Sequence, residues 1–259
     1  MRRVNFILNR VHLFDIDGTL TPHRQSIDPD FLEFFLHWSS NNKFYLTTGS
    51  DLIKVKEQLP AEVLNQAAGI FCCMGNQLFA PGADKVVYQN EFEPSRELIK
   101  DLQLTLGYSD FPYPWREGPH IELRPGMLNF SVAGRGVDAE MRKLYSRFDS
   151  KTRERERTCD IIRNKYPHLD ASIGGEISID IYLRGNDKSQ SVRYILNHEQ
   201  PHYIIFIGDR AFEGGNDYAV CKELDNIGRG VWFNISNWKE TKAILNSDHL
   251  YTNRDGVKA

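Results

Sequence analysis

The chain has 259 residues, room for one large domain or two small ones, and an ordinary apolar fraction of 41%. A formal net charge of -3 argues against nucleic acid or an anionic membrane held by general charge, and no apolar run approaches the ~20 residues that cross a bilayer. Met1-Arg2-Arg3 and then Val4–Leu8 are basic and only briefly apolar, too short for a signal segment, so a cytoplasmic protein is expected. The four cysteines (Cys72, Cys73, Cys159, Cys221) show no C-x-x-C spacing and read as buried free thiols.

From the N-terminus, Val11–Phe14 reads as a buried strand. Ile27 to Trp38 carries apolar residues at helical spacing, with Asp28-Pro29 as a start signal. Lys43–Thr47 is a second strand, Asp51–Leu59 a helix capped by Ser50, and Gly69–Cys73 a third strand. Gln77–Phe79 and Val86–Tyr88 flank Pro81-Gly82 as a hairpin. The middle of the chain differs: a helix over Pro94–Leu106, chain breakers from Pro112 to Pro119, and short strands at Ile121–Leu123 and Leu128–Val132. A long polar helical stretch follows over Asp138–Tyr166, then a strand over Ile177–Leu183 with one wet face. The mixed-charge run Lys151–Arg157 reads as a solvated helix face. After Asp187 the first pattern resumes: a helix over Lys188–Asn197, a very apolar strand over Tyr203–Ile207, a short strand over Gly230–Phe233 and a closing helix over Trp238–Leu245. Strands alternating with helices imply a parallel sheet. The expected architecture is α/β: a Rossmann-like core from residues 1–87 and 188–259, with an α+β cap inserted over 88–187.

The chemistry starts at Asp15-Ile16-Asp17-Gly18-Thr19. Two carboxylates one residue apart project to the same side of an extended chain, where each raises the other's pKa unless a cation is near. Hard oxygen ligands suit Mg²⁺, and the layout is that of an aspartate that accepts a phosphoryl group. Gly208-Asp209 ends the most apolar strand and leads to Gly214-Gly215-Asn216-Asp217. At the carboxyl ends of parallel strands Asp209 would join Asp15 and Asp17, with Asn216 and Asp217 holding those ligands in place. Read alone, the same segment is an Asp-rich surface loop with a helix cap. Thr47-Thr48-Gly49 can offer a hydroxyl and N–H groups to a phosphate oxygen, or simply start a helix. Lys188 can neutralise the nucleophile and a bound phosphate, or be a solvated lysine.

In this order, Asp-x-Asp-Gly-Thr, Thr, Lys and Gly-Asp…Asn-Asp, the chain resembles the haloacid dehalogenase superfamily of aspartate-nucleophile phosphotransferases. More narrowly it resembles the eukaryotic-type phosphomannomutases, through Leu13–Gln25, Gly49–Leu59, Glu122–Arg135, Gly174–Tyr182, Asn186–Lys188 and Gly208–Asp217. The resemblance implies interconversion of mannose 6-phosphate and mannose 1-phosphate, feeding GDP-mannose synthesis, with a hexose 1,6-bisphosphate as activator. It makes Asp15 the nucleophile and Asp17 the acid/base, with Thr48 and Lys188 in support. Mg²⁺ would sit on Asp15, Asp17, Asp209 and a backbone carbonyl, Ile16 by position. Arg24, Arg124, Arg135 and Arg142 would grip phosphate, and Ser178 and Asp180 the sugar hydroxyls. Arg135 and Arg142 share a face if a helix joins them. A homodimer through the cap is implied by analogy. The chain departs from the family pattern at Cys73-Met74-Gly75, where Glu-Asn-Gly is usual, and at Cys221–Asp225, so a second, structural cation is doubtful. The alternatives are a Mg²⁺-dependent sugar-phosphate phosphatase on the same core and an inactive scaffold, which would have lost these acids.

Overall fold

The computed structural model describes residues 9–247, so the N-terminal segment Met1–Leu8 lies outside the described residues. Strand β1 (Arg10–Phe14) is an inner strand of a seven-stranded sheet. Helix α1 (Pro29–Ser39) starts as expected: Asp28 accepts hydrogen bonds from the N–H groups of Asp30 and Phe31. Strand β2 (Phe44–Thr47), helices α2 (Leu52–Gln58) and α3 (Ala61–Gln66), and strand β3 (Ile70–Cys72) follow. The cap of α2 is Asp51, whose carboxylate accepts from the Lys54 N–H, and not Ser50. The hairpin of β4 (Gln77–Phe79) and β5 (Val86–Gln89) forms one edge.

The chain then builds a second sheet. It adds helix α4 (Arg96–Tyr108), strands β6 (Ile121–Arg124) and β7 (Met127–Phe130), helices α5 (Ala139–Thr152) and α6 (Glu154–Lys165), and strands β8 (Leu169–Gly174) and β9 (Ser178–Leu183). Their order is β6-β7-β9-β8, all antiparallel. Helix α7 (Ser189–Glu199), strand β10 (Tyr203–Gly208), helix α8 (Tyr218–Ile227), strand β11 (Gly230–Asn234) and helix α9 (Trp238–Leu245) complete the first sheet, ordered β11-β10-β1-β2-β3-β4-β5. From β11 to β3 every pair is parallel. The chain runs outward from β1 through β2 and β3, then returns on the other side of β1 as β10. The order therefore reverses between β1 and β10, and their carboxyl ends open a crevice there.

Both faces of the large sheet are packed. Phe14, Phe31, Phe35, Trp38 and Phe44 fill one side; Val11, Leu13, Tyr45, Phe71, Ile195, Ile204, Phe206 and Leu224 fill the other. On the small sheet, Leu128, Phe130, Ile179 and Ile181 pack with Leu98, Tyr145 and Ile162 of the helices. The alternate residues Asn129, Ser178 and Asp180 face the crevice. The face expected to be wet is therefore buried: Ser178, Asp180 and Tyr182 are all inaccessible.

The segment expected as one helix over Asp138–Tyr166 is two, because Arg153 takes a left-handed conformation (φ 54°) between α5 and α6. The run expected to be solvated is also split. Arg153 and Glu156 are exposed ends of an ion pair, but Glu154 and Arg155 are buried, the first accepting from the Tyr145 hydroxyl and the second paired with Asp149. Buried Asn76 ties the two sheets together. Its amide donates to the Cys73 and Asn186 carbonyls and its Oδ1 accepts from Asn90, so it touches the chain where it leaves the large sheet and where it returns. The four cysteines are free and buried.

One buried group makes stability depend on pH. His12 on β1 meets the Trp38 ring edge-on at 4.7 Å, and burial lowers its pKa from 6.5 to about 4. An unfolded chain takes up this proton below pH 6.5 and the folded chain does not. The stability of the native protein relative to His12→Phe is therefore expected to fall by about 3 kcal/mol as pH drops from 6.5 to 4. Urea unfolding of both proteins across that range checks it; a difference that stays constant with pH contradicts it.

Candidate active site

The nucleophile candidate sits where β1 ends. The Asp15 N–H donates to the Ile207 carbonyl of β10, which fixes the residue at the mouth of the crevice. Its Oδ1 lies 2.6 Å from Lys188 Nζ, and its Oδ2 accepts from the Thr19 hydroxyl. Lys188 immediately precedes α7 and is fully buried, with its Nζ also 2.6 Å from Asp217 Oδ1. Asp217, at the start of α8, in turn accepts from the Arg210 N–H. Gly208 is required beside it, since a Cβ there would lie 2.5 Å from Asp217 Oδ2.

Asp15, Asp209 and Asp217 each present an oxygen within 4.8 Å of the others. Three carboxylates face two fixed cations, Lys188 on Asp15 and Asp217 and Arg210 on Asp209 (Nε to Oδ2 3.5 Å), which leaves a net negative charge inside the protein. Burial, with Asp217 and Asp209 adding to it and Lys188 opposing, pushes the Asp15 carboxyl well above the usual range. Burial and Asp217 raise Asp209 to about 6. Beside them, Asn216 Oδ1 is buried without a hydrogen-bond donor. Hard oxygens, an excess of negative charge and an unpartnered carbonyl oxygen together fit a divalent cation of the Mg²⁺ class.

Two expected ligands fall elsewhere. The Asp17 carboxylate stands apart from that group; its Oδ1 accepts from the Arg24 N–H (2.8 Å) and from the Gln58 amide (2.9 Å), and its Oδ2 faces the Ser50 hydroxyl. The third carboxylate close to Asp15 and Asp209 is Asp217, expected as their support. The Ile16 carbonyl accepts from the N–H groups of Thr19, Leu20 and Thr21, so it closes a turn and does not face the site. Asp17 still lines the cavity, free to act on protons there. Thr48 lines it too, its hydroxyl accepting from the Ser50 N–H.

The opposite wall comes from the small sheet, its loops and α5. Arg124, Arg135, Arg142, Ser178 and Asp180 border the same cavity as Asp15, Asp17 and Asp209, and Arg24 joins them from the loop after β1. Arg124 donates to the Gly49 carbonyl (2.8 Å), bridging the two sheets, and pairs with Glu122. Arg135 donates to the Ser178 hydroxyl (2.9 Å), and Asp180 accepts from Asn129 (2.7 Å). No helix joins Arg135 to Arg142: Arg135 lies in the loop before α5, and a bond from Arg142 to the Arg135 carbonyl brings them together. These cations oppose one another. Burial, Arg24 and Arg124 press Arg135 down to about 10. Burial and the neighbouring Arg142 lower Arg24, and burial and Arg135 lower Arg142. Among the four, only Arg124 is held up, against its burial, by Asp180 and Glu122. A bound anion would relieve the rest.

Sequence reasoning missed Gln58, Glu122, Asn129 and Glu176. Asn129 had a readable signal, standing in Gly-Met-Leu-Asn on a strand whose alternate residues are apolar. Gln58 had none: it reaches Asp17 only because the end of α2 is bonded to the loop after β1, through Thr21 and the Ile27 N–H.

Comparison with known proteins agrees with this geometry. The family model described as eukaryotic phosphomannomutase matches residues 31–247. The spinach (Spinacia oleracea) phosphomannomutase is 34% identical over 225 residues, covering 85% of this chain and 90% of its own. The wheat (Triticum aestivum) phosphomannomutase is 32% identical over 242 residues, covering 91% and 95%. A haloacid dehalogenase-like hydrolase from Bacteroides thetaiotaomicron shares the fold at TM-score 0.53 and 14% identity, over 83% of this chain and 85% of that one. The fold is therefore that of the haloacid dehalogenase superfamily, and this chain belongs to the eukaryotic phosphomannomutase family.

Proposed function

We propose that this enzyme interconverts mannose 6-phosphate and mannose 1-phosphate, with Mg²⁺ as its cation and a hexose 1,6-bisphosphate as primer. The observation that carries this reading is one cavity with carboxylates at the sheet ends and Arg124, Arg135 and Arg142 facing them, joined by Arg24 from the core loop. One wall suits a phosphoryl group in transfer; the other suits a phosphate that is only held, bidentately, by guanidinium forks. Residues 1–87 and 188–259 are taken as the catalytic core and 88–187 as the cap.

Asp15 takes the phosphoryl group, its oxygen forming the new bond to phosphorus as the sugar oxygen leaves. Asp17, tied to Gln58 and the Arg24 N–H, gives that leaving oxygen a proton and later takes one from the accepting hydroxyl. Lys188 holds the Asp15 carboxylate against Asp217. Thr48 and the Gly49 N–H would meet the phosphoryl oxygens. Asp15 and Asp209, supported by Asn216 and Asp217, would hold the cation, which when bound supplies positive charge to the transferring oxygens. Arg24, Arg124, Arg135 and Arg142 hold the other phosphate, and Ser178 and Asp180 meet the sugar hydroxyls. The bisphosphate must turn between the two transfers. The cap arginines can serve either end because they read phosphate rather than ring.

Cap-to-core bonds, Arg124 to the Gly49 carbonyl and the Ile173 N–H to the Gly214 carbonyl, favour transfer to sugar over transfer to water. Four buried thiols fit the reducing cytoplasm. No helix among the described residues is long and apolar enough to cross a membrane. Neither nucleic acid nor membrane is a proposed partner. The exposed cap residues Tyr108, Tyr113 and Trp115 leave apolar surface that a second copy would cover, in keeping with a homodimer through the cap.

Mannose 1-phosphate incubated with the enzyme and Mg²⁺ should yield mannose 6-phosphate when glucose 1,6-bisphosphate is added. Free phosphate and mannose instead would identify a phosphatase. Asp15→Asn should lower turnover by roughly 10³-fold or more while the circular dichroism spectrum is retained; near-normal turnover at saturating Mg²⁺ refutes the nucleophile. Arg135→Ala should raise KM for mannose 1-phosphate on the order of tenfold and leave cation affinity unchanged. Equal loss of both, or of neither, contradicts its role as a phosphate grip.

A further inference from the structure

Arg155 belongs to no part of the cavity wall, yet it is buried and makes more polar contacts than any exposed arginine needs. Its Nη1 reaches three carbonyls, those of Gly174 (3.3 Å), Gly175 (3.1 Å) and Ser178 (3.3 Å). Its Nε lies 2.8 Å from Asp149 Oδ2, and its own N–H donates to Asp149 Oδ1 (2.8 Å). Asp149 closes the last turn of α5 and Arg155 opens α6. The left-handed Arg153 between them folds the two helices so that one carboxylate takes both donors. A buried ion pair of this kind is costly unless its remaining donors are satisfied, and here they are spent on one turn of backbone.

That turn joins β8 to β9 and serves two places at once. Toward the substrate it carries Glu176 and Ser178, whose hydroxyl accepts from Arg135. It also sets Gly174 so close to Asp180 that a Cβ there would lie 2.4 Å from Asp180 Oδ2. Toward the core, the Ile173 N–H just before it donates to the Gly214 carbonyl at 2.9 Å, and Ile173 forms a parallel bridge with Gly215. Gly214 and Gly215 lie in the loop between Asp209 and Asp217.

We propose that Asp149 and Arg155 are a positioning pair: by holding the β8–β9 turn they close the cavity over Asp15, and so set how much phosphoryl group goes to sugar and how much to water. The inference rests on the mutase reading. In productive transfer the sugar hydroxyl oxygen bonds to phosphorus, the bond from phosphorus to the Asp15 oxygen breaks, and the hydroxyl proton passes to Asp17. If the turn loosens, water takes the hydroxyl's place, gives its proton to the same carboxylate, and inorganic phosphate leaves.

The test uses the full chain with Mg²⁺, mannose 1-phosphate and glucose 1,6-bisphosphate, counting inorganic phosphate released per mannose 6-phosphate formed. Arg155→Met should raise that ratio on the order of tenfold and raise KM for mannose 1-phosphate. Binding of beryllium fluoride at Asp15, followed by fluorine NMR, should be unchanged, because neither residue touches the carboxylates. Arg155→Lys keeps the ion pair, but one ammonium cannot serve Asp149 and three carbonyls together, so it should give a smaller rise in the same direction. It is the variant to read if Arg155→Met does not fold. An unchanged ratio in a folded variant overturns the proposal, as does loss of beryllium fluoride binding in step with activity, the mark of a merely structural role. A native enzyme that forms no mannose 6-phosphate contradicts the mutase reading itself. A native enzyme that isomerises while its variants keep the same ratio contradicts the positioning pair alone.

Discussion

The site is organised by one buried ammonium. Lys188 Nζ stands 2.6 Å from both Asp15 and Asp217, with no access to water. Charges taken out of water are tolerated only when paired and hydrogen-bonded. Lys188 and Arg210 together do not balance Asp15, Asp209 and Asp217, and that shortfall suits the crevice to a cation. The topology creates this conflict: β1 and β10 run side by side and parallel, so Asp15 and Asp209 emerge together where the sheet reverses. The start of α7, before β10, brings Lys188, and the start of α8, after it, brings Asp217.

The opposite wall, joined by Arg24 from the core loop, carries the complementary excess. Arg24, Arg135 and Arg142 depress one another, and Glu122 and Asp180 answer them only in part. A cavity with surplus negative charge on its floor and surplus positive charge on its roof is poorly satisfied by water alone. It matches a cation below and phosphate above, and much of the binding energy of a sugar bisphosphate would come from relieving both strains. Cap closure follows from the same contacts, since Arg124 and the β8–β9 turn each reach across to the core backbone.

How much of this was legible in sequence depended on range. Asp15 and Asp209 announced themselves because each follows a strand of unbroken apolar residues, a local signal that also fixed β1, β2, β10 and α9 within a residue or so. The Arg and Ser/Asp residues of the cap were nameable only through family resemblance, since an arginine in isolation reads as surface. What failed was non-local. Asp17 stands apart from Asp15 and Asp209 because the Gln58 amide and the Arg24 N–H, contacts set by folding, hold its carboxylate. The break at Arg153 was invisible because every residue from Lys151 to Arg157 suits a helix; the Asp149–Arg155 pair decides it. Strand β8 escaped notice although Leu169, Ala171 and Ile173 alternate with Asp170 and Ser172, because the run is short and lies between two breakers, Pro167 and Gly174.

The central claim is that Asp15, Asp209 and Asp217, underbalanced by Lys188 and Arg210, form a site for one divalent cation. Manganese binding followed by electron paramagnetic resonance tests it most directly, with Mg²⁺ as competitor. The account predicts one Mn²⁺ per native chain, displaced by Mg²⁺, and no saturable binding in Asp209→Ala. Equal Mn²⁺ affinity in the two proteins would contradict it.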